Sequence, residues 1–204
     1  MIGIINYGSG NVFAIENVYK KLNIEYKIVE SPEDMRLMDK LVLPGVGAFD
    51  EVMSLLLQSG LKQVLDEQVL EKSVPILGVC VGMQVMAKSS EEGKMAGFGW
   101  IDGIVKKFDA TKMERKPFLP HLGWNSIEKK GEPEILDGVD SEFGFYFLHT
   151  YYFSCNNEND VVSFTNYGER FVSALNSRNI YGVQFHPEKS HTNGMNVFKN
   201  FAKL

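Results

Sequence analysis

The stretch GVCVGMQ (78–84) places Cys80, one of the chain's two cysteines, midway between Gly78 and Gly82 at the end of an apolar run. A sharp turn from strand to helix lifts its central side chain clear of a sheet. It also presses the residues two before and two after against neighbouring backbone, so both must be small. A thiol on such a turn meets the unpaired N–H groups that open the following helix, which favour a thiolate and can hold an oxyanion. The plainer meaning of the same pattern is a buried strand-end cysteine beside packing glycines. A nucleophilic thiolate needs a base, and the base needs an orienting group. GVQFHPE (182–188) ends another apolar run in His186 and Glu188, with Pro187 as a stiff spacer. On an extended segment residues two apart point the same way, so Glu188 can face the His186 ring and fix its tautomer. By itself that stretch would describe a surface histidine with an acid beside it. Together the two stretches suggest Cys80 as nucleophile, His186 as proton shuttle and Glu188 as orienting acid. The other cysteine, Cys155 in YYFSCNN, has no glycine bracket.

These side chains can meet only if a fold carries them to one place, and the first ninety residues alternate in a way that does so. IGIIN (2–6) reads as a strand, and Val12, Ile15, Val18, Tyr19 and Leu22 then recur at helical spacing. YKIV (26–29) is a second strand. Ser31, Pro32 and Asp34 read as a helix cap, a first-turn proline and an acid at the third position. KLVLPGVG (40–47) is a third strand, cut by Pro44 and Gly45. Apolar residues from Phe49 to Leu70 predict one or two helices broken at Gly60, and VPILGV (74–79) is a fourth strand. Such alternation builds a parallel sheet covered on both faces, with ligands at the carboxyl ends of the strands, where Gly45, Gly78 and Cys80 fall. After about residue 95 the texture changes to short β-rich runs separated by Gly, Asn, Asp and Pro, with no clear helix until Met195 to Phe201. The expected class is α/β: a largely parallel central sheet with flanking helices, and additional antiparallel strands in the C-terminal half. No linker or repeat divides the chain, so residues 1–204 are read as a single domain.

Composition narrows the function. With 204 residues, 44% of them hydrophobic, the chain can bury a full core. Its net charge of −5 comes from mixed acids and bases, with no basic block to meet nucleic acid or anionic lipid. No signal peptide or spanning segment is evident, so the expectation is a cytoplasmic protein with reduced thiols and no membrane partner. Two cysteines cannot make a metal cluster or a disulfide framework, and no cofactor is implied. The NYGSGN loop (6–11) has Phe13 where a dinucleotide fingerprint needs a third glycine. His121 and His191 read as structural or surface histidines.

PGVGAF (44–49), GVCVGMQ (78–84), PHLGWN (120–125), FYFLHTYY (145–152) and GVQFHPEKS (182–190), in this order, resemble the class I, triad-type glutamine amidotransferases, in particular the glutaminase subunits of imidazole glycerol phosphate synthases. The resemblance implies that Cys80 attacks the side-chain amide of L-glutamine, with His186 and Glu188 completing the triad, and that a glutamyl thioester is then hydrolysed. It implies an oxyanion hole from backbone N–H groups at Val81 and at Val46 or Gly47. Gly45, Gln84, Glu92 (in SSEEG) and the segment His149, Thr150, Tyr151 would hold the substrate; without the resemblance, Gln84 and Glu92 are helix-surface residues. It also implies a heterodimer with a synthase partner that is a (β/α)8-barrel cyclase of histidine biosynthesis, docked over NYGSGN and the Trp124 and Asn125 region. Val81, Leu122, Thr150, ERKPFLP (114–120) and SHTNGM (190–195) depart from the usual pattern; they spare the chemistry and leave open a second partner, a sugar-amidating synthetase of surface polysaccharides. Two other classes would share parts of the pattern. A cysteine hydrolase of the α/β-hydrolase type places its acid between nucleophile and histidine, whereas here Glu188 follows His186. A flavodoxin-like binding module would keep the glycines for packing alone.

Overall fold

The computed structural model describes residues 1–113 and 119–204, so most of the ERKPFLP stretch lies outside the described residues. The N-terminal half runs β1 (Ile2–Ile5), α1 (Val12–Leu22), β2 (Tyr26–Val29), α2 (Pro32–Met35), β3 (Lys40–Gly45), α3 (Phe49–Gln58), α4 (Leu61–Asp66), a π-helical turn (Glu67–Glu71), β4 (Ile76–Cys80) and α5 (Val81–Gln84). The apolar spacing of α1 buries Val12, Ile15, Val18 and Tyr19. α2 starts as its sequence dictates: the Ser31 hydroxyl accepts from the Asp34 N–H at 3.2 Å, and Pro32 occupies the first turn, where a missing N–H costs nothing. Gly60, at φ 73°, separates α3 from α4 in a backbone conformation that side chains with a Cβ disfavour.

The second half contributes β5 (Ser89–Ser90), β6 (Gly103–Lys107), β7 (His121–Asn125), β8 (Glu128–Lys129), β9 (Phe145–His149), β10 (Tyr151–Cys155), β11 (Val161–Tyr167), β12 (Glu169–Ser177), β13 (Ile180–Val183) and α6 (His191–Lys203). The central sheet has eight strands in the order β2-β1-β3-β4-β13-β12-β11-β8. From β2 to β13 every pairing is parallel, and from β13 to β8 every pairing is antiparallel. β5, β6 and β10 form a separate three-stranded sheet, and among the described residues β7 pairs only with β9. The added strands are therefore partly extensions of the central sheet and partly two small satellites.

Two expectations need correction. β3 is not cut at Pro44: Pro44 sits beside Val79 and Gly45 beside Cys80 in the ladder with β4. The pairing of β1 with β3 stops at Val42, so by Pro44 the strand has a neighbour on one side only and the missing N–H costs no second ladder bond. The last helix begins at His191 rather than Met195, and its buried Val197, Phe198 and Phe201 pack it onto the core. Phe198 meets Tyr19 of α1 with ring centroids 5.3 Å apart. Among the described residues no helix is long and apolar enough to cross a membrane.

Candidate active site

β4 and β13 are parallel neighbours, with Val79 beside Val183, so the residues that follow each strand emerge side by side at the same edge. Cys80 makes the turn out of β4 at φ 54°, ψ −112°, a conformation outside the regions favoured by ordinary residues. The bracketing glycines allow it. A Cβ on Gly78 would lie 2.6 Å from the Gly82 carbonyl oxygen, and one on Gly82 would lie 1.9 Å from the Leu43 oxygen. The expected helix after the cysteine is a single turn, so the positive end facing the sulfur consists of local N–H groups and not of a long macrodipole. Gly45, expected among the substrate contacts, has another place: a Cβ there would approach the Gly82 nitrogen to 2.3 Å. It lets β3 press against the turn from beneath and does not line the cavity.

His186 lies just beyond β13, its N–H donating to the Tyr146 carbonyl at 2.9 Å. HPE is not extended, as its sequence suggested, because Pro187–Lys189 forms a 3-10 turn. The turn still delivers the contact: Glu188 Oε1 is 2.8 Å from His186 Nδ1, with both side chains nearly inaccessible to solvent. Asn11, from the NYGSGN loop, donates its side-chain N–H to the same oxygen at 3.4 Å. Burial pulls the His186 pKa down, but the adjacent Cys80 sulfur and the Glu188 carboxylate outweigh it and push the value up to about 10. The site therefore favours an imidazolium held between sulfur and carboxylate, the state in which the histidine can donate a proton.

The sulfur, His186 and the turn open onto a cavity of about 300 Å³. Val46, Gly47 and Val81 line it, as do Gln84, Glu92, His149, Thr150 and Tyr151. Glu188 is not on this wall and stands behind His186. Glu92 uses one carboxylate oxygen to accept from the Phe49 N–H at 2.9 Å, which caps α3. Gln84, a surface residue on sequence grounds alone, is almost fully buried. Its Nε2 donates to the Tyr151 carbonyl at 2.9 Å and to Gln184 Oε1 at 3.0 Å. Among the described residues, no group of three or more His, Cys, Asp or Glu could hold a metal ion.

Residues 3–204 match the family model described as "Glutamine amidotransferase class-I". The chain belongs to the class-I glutamine amidotransferases. It is 47% identical, over all of both chains, to a protein of Leptospira borgpetersenii named imidazole glycerol phosphate synthase subunit HisH. A protein of Pseudomonas aeruginosa named subunit HisH 2 of the same synthase is 44% identical over all of both chains. Among solved structures, PurLQS from Thermotoga maritima covers 99% of this chain and 97% of its own at a TM-score of 0.74 and 13% identity, a likeness of fold. A glutamine amidotransferase of Thermotoga maritima, with a TM-score of 0.65 and 16% identity, covers 99% of this chain and 82% of its own.

Two further features complete the geometry of this amidotransferase site. His121, read as structural or surface, is buried, with Nδ1 3.1 Å from His149 Nε2, and its ring stacks on Phe147 and Tyr167. Since His149 Nδ1 lies 2.8 Å from the acceptor-only Tyr151 carbonyl, it must carry a hydrogen, and His149 Nε2 must accept from His121. Asn125 Nδ2, 3.2 Å from His121 Nε2, completes a one-way chain of donors from β7 to the cavity wall. Burial lowers the His121 pKa to about 4 and that of His149 well below its ordinary value, so both rings are neutral. His191 instead stacks on the half-exposed Trp124. The second feature is Gln184, fully buried, whose Nε2 lies 3.7 Å from the Cys80 sulfur. A polar residue inside the apolar run GVQF, two positions before His186, was the signal that could have found it.

Proposed function

We propose that this chain is the glutaminase subunit of an imidazole glycerol phosphate synthase, hydrolysing L-glutamine to glutamate and ammonia for a synthase partner. The observation that carries the chemistry is the placement of Cys80 and His186 at the ends of adjacent parallel strands, facing one cavity with Glu188 behind the histidine. The Cys80 thiolate attacks the side-chain amide carbon of glutamine, and the carbonyl electron pair moves to oxygen. The N–H of Val81 and one from Val46 or Gly47 face that oxyanion; one such donor is worth roughly 3 kcal/mol in the transition state. His186 gives its proton to the amide nitrogen, ammonia leaves, and a glutamyl thioester remains. A water deprotonated by His186 then attacks the thioester carbon; glutamate departs and the thiolate is restored. Glu188 keeps Nδ1 protonated so that Nε2 faces the reaction. Gln84 and Glu92, with the His149 to Tyr151 backbone, hold the amino-acid end of the substrate, where an acid suits the ammonium.

We infer a cytoplasmic heterodimer in which the chain acts as one domain, its partner a (β/α)8-barrel cyclase. The names of the relatives support the synthase, and the surface beside the cavity supports docking: Val46, Leu122, Trp124, Phe143 and Leu148 are large apolar side chains left exposed. Ammonia released there enters the partner, not the solvent. The test is a steady-state glutaminase assay with the chain alone, with the cyclase, and with the cyclase plus its acceptor ligand. Turnover should rise at each step, through tighter binding of the ligands to the active oxyanion-hole geometry. Equal rates in all three would refute the coupling, and stimulation only by a sugar-amidating synthetase would move the chain to another pathway.

A further inference from the structure

We propose that Gln184 is a further catalytic residue: its side-chain amide donates a hydrogen bond to the Cys80 sulfur and holds it as a thiolate. The proposal rests on the glutaminase reading for what that thiolate attacks, but not for the contact itself.

The orientation of the amide follows from the groups around it. The Tyr151 carbonyl can only accept, so the Gln84 atom 2.9 Å from it is Nε2. The same nitrogen lies 3.0 Å from the end of the Gln184 side chain, which must therefore present its oxygen there. The Gln184 nitrogen is left facing the sulfur at 3.7 Å. An acceptor-only backbone oxygen thus orients two buried amides in series, and the last N–H points at the nucleophile. Besides the His186 ring, the sulfur has one further partner among the described residues, the Leu148 carbonyl at 3.9 Å, which can accept an S–H but offers nothing to a thiolate. The two contacts divide by protonation state: Leu148 serves the thiol and Gln184 serves the thiolate. A donor aimed at a charged acceptor is about twice as strong as one aimed at a neutral acceptor, so the Gln184 contact favours the ionised nucleophile.

This donor does what His186 cannot do throughout the cycle. The histidine must release its proton to the departing amide nitrogen and recover one from water, whereas the Gln184 amide keeps its N–H throughout. Gln184 can therefore favour the thiolate both before attack and when the sulfur leaves the thioester carbon. The titratable groups around this sulfur are His186 with Glu188 behind it, Tyr7, whose phenol burial keeps protonated, and His149, Glu92 and Lys189 on the cavity wall. None of them takes the place of the Gln184 N–H.

The experiment measures alkylation of Cys80 by iodoacetamide against pH in a Cys155→Ser background, with Gln184 intact and as Gln184→Met or Gln184→Glu. Gln184→Met keeps the volume and loses the donor. The midpoint of its pH–rate profile should move up by about one pH unit, and kcat for glutamine, assayed with the partner, should fall about tenfold with KM within about twofold. Gln184→Glu, which still accepts from Gln84 but adds charge beside the sulfur, should move the midpoint further. An unchanged midpoint in either folded variant would overturn the proposal. If neither folds, the unmodified chain decides: labelled with 15N, its Gln184 side-chain N–H2 signals should shift with pH at the alkylation midpoint, and insensitivity would overturn it. Failure of the glutaminase reading looks different, since no glutamine would turn over while the Gln184 effects on alkylation persist.

Discussion

Replacing Glu188 by glutamine changes one atom and tests how the histidine is held. The carboxylate oxygen now 2.8 Å from His186 Nδ1 becomes an amide oxygen, if the new side chain presents its oxygen and not its nitrogen. Asn11 decides that choice. Its N–H2 points at the same position from 3.4 Å, so an oxygen there accepts from two donors while a nitrogen would face two. The tautomer of His186 is therefore kept, and what is lost is the charge. A hydrogen bond to a charged group contributes roughly 1.5–3 kcal/mol against about 1 for a neutral one. That difference is about 0.5–2 kcal/mol, and if most of it appears in the transition state, kcat falls by roughly 2- to 30-fold with KM little changed. The pH dependence moves as well. The His186 pKa of about 10 is held up by both Cys80 and Glu188, so removing the carboxylate lowers it. The imidazolium that protonates the leaving amide nitrogen is lost as pH rises through that value, and the alkaline limb of the rate profile moves toward neutrality. Rapid-quench measurement of thioester formation with partner bound gives both quantities. A folded Glu188→Gln that retains the full rate, or one as inactive as His186→Ala, would refute this reasoning; so would an Asn11→Ala change that costs no more in the Glu188→Gln background than alone.

Gly82→Ala should cost several kcal/mol in urea unfolding or abolish folding, since its Cβ would lie 1.9 Å from the Leu43 oxygen and that atom is backbone; a stable, active variant would contradict the tight turn. His121 titrates at about 4 in the fold, below the ordinary 6.5, so the unfolded chain takes up a proton between those values that the fold refuses. That contribution to stability is intact above pH 6.5 and is lost as pH falls toward 4, by about 3 kcal/mol. His121→Phe, which keeps a ring in the stack, should flatten the fall seen in urea unfolding at pH 7.5, 6 and 5, and an unchanged slope would count against a neutral buried ring. Cys155 bonds to the Asn157 carbonyl at 3.3 Å and is absent from the cavity wall. Cys155→Ser should keep glutaminase activity within about twofold, and a loss as large as that of Cys80→Ala would place the chemistry elsewhere.

The strand and helix alternation and the cysteine bracket are legible because each is a local demand: a glycine two residues from a turn and a serine before a proline state their geometry within a few residues. HPE announces the His186–Glu188 contact but not the 3-10 turn that makes it. What was hidden depends on strands distant in sequence. Gln84 reads as a helix-surface residue until β10 brings the Tyr151 carbonyl over it and the segment after β13 brings Gln184 beside it. His121 and His149 belong to β7 and β9, whose antiparallel pairing sets the two residues opposite each other, and no periodicity within either strand announces that contact. Pro44 reads as a strand break for a related reason: a proline breaks a strand that is bonded on both sides, and the end of β1 is what reveals that this one is bonded on one.

The central claim, that Cys80 is the nucleophile toward a glutamine side chain, is tested most directly with 6-diazo-5-oxonorleucine, a glutamine analogue that alkylates the group attacking its carbonyl region. The chain is incubated with the analogue in the presence of its partner, digested, and both cysteine peptides are read by mass spectrometry. The account predicts one adduct, on Cys80, suppressed by excess L-glutamine and absent from His186→Ala on the same timescale, with Cys155 unmodified. An adduct on Cys155, or equal labelling of both thiols unaffected by glutamine, would contradict it.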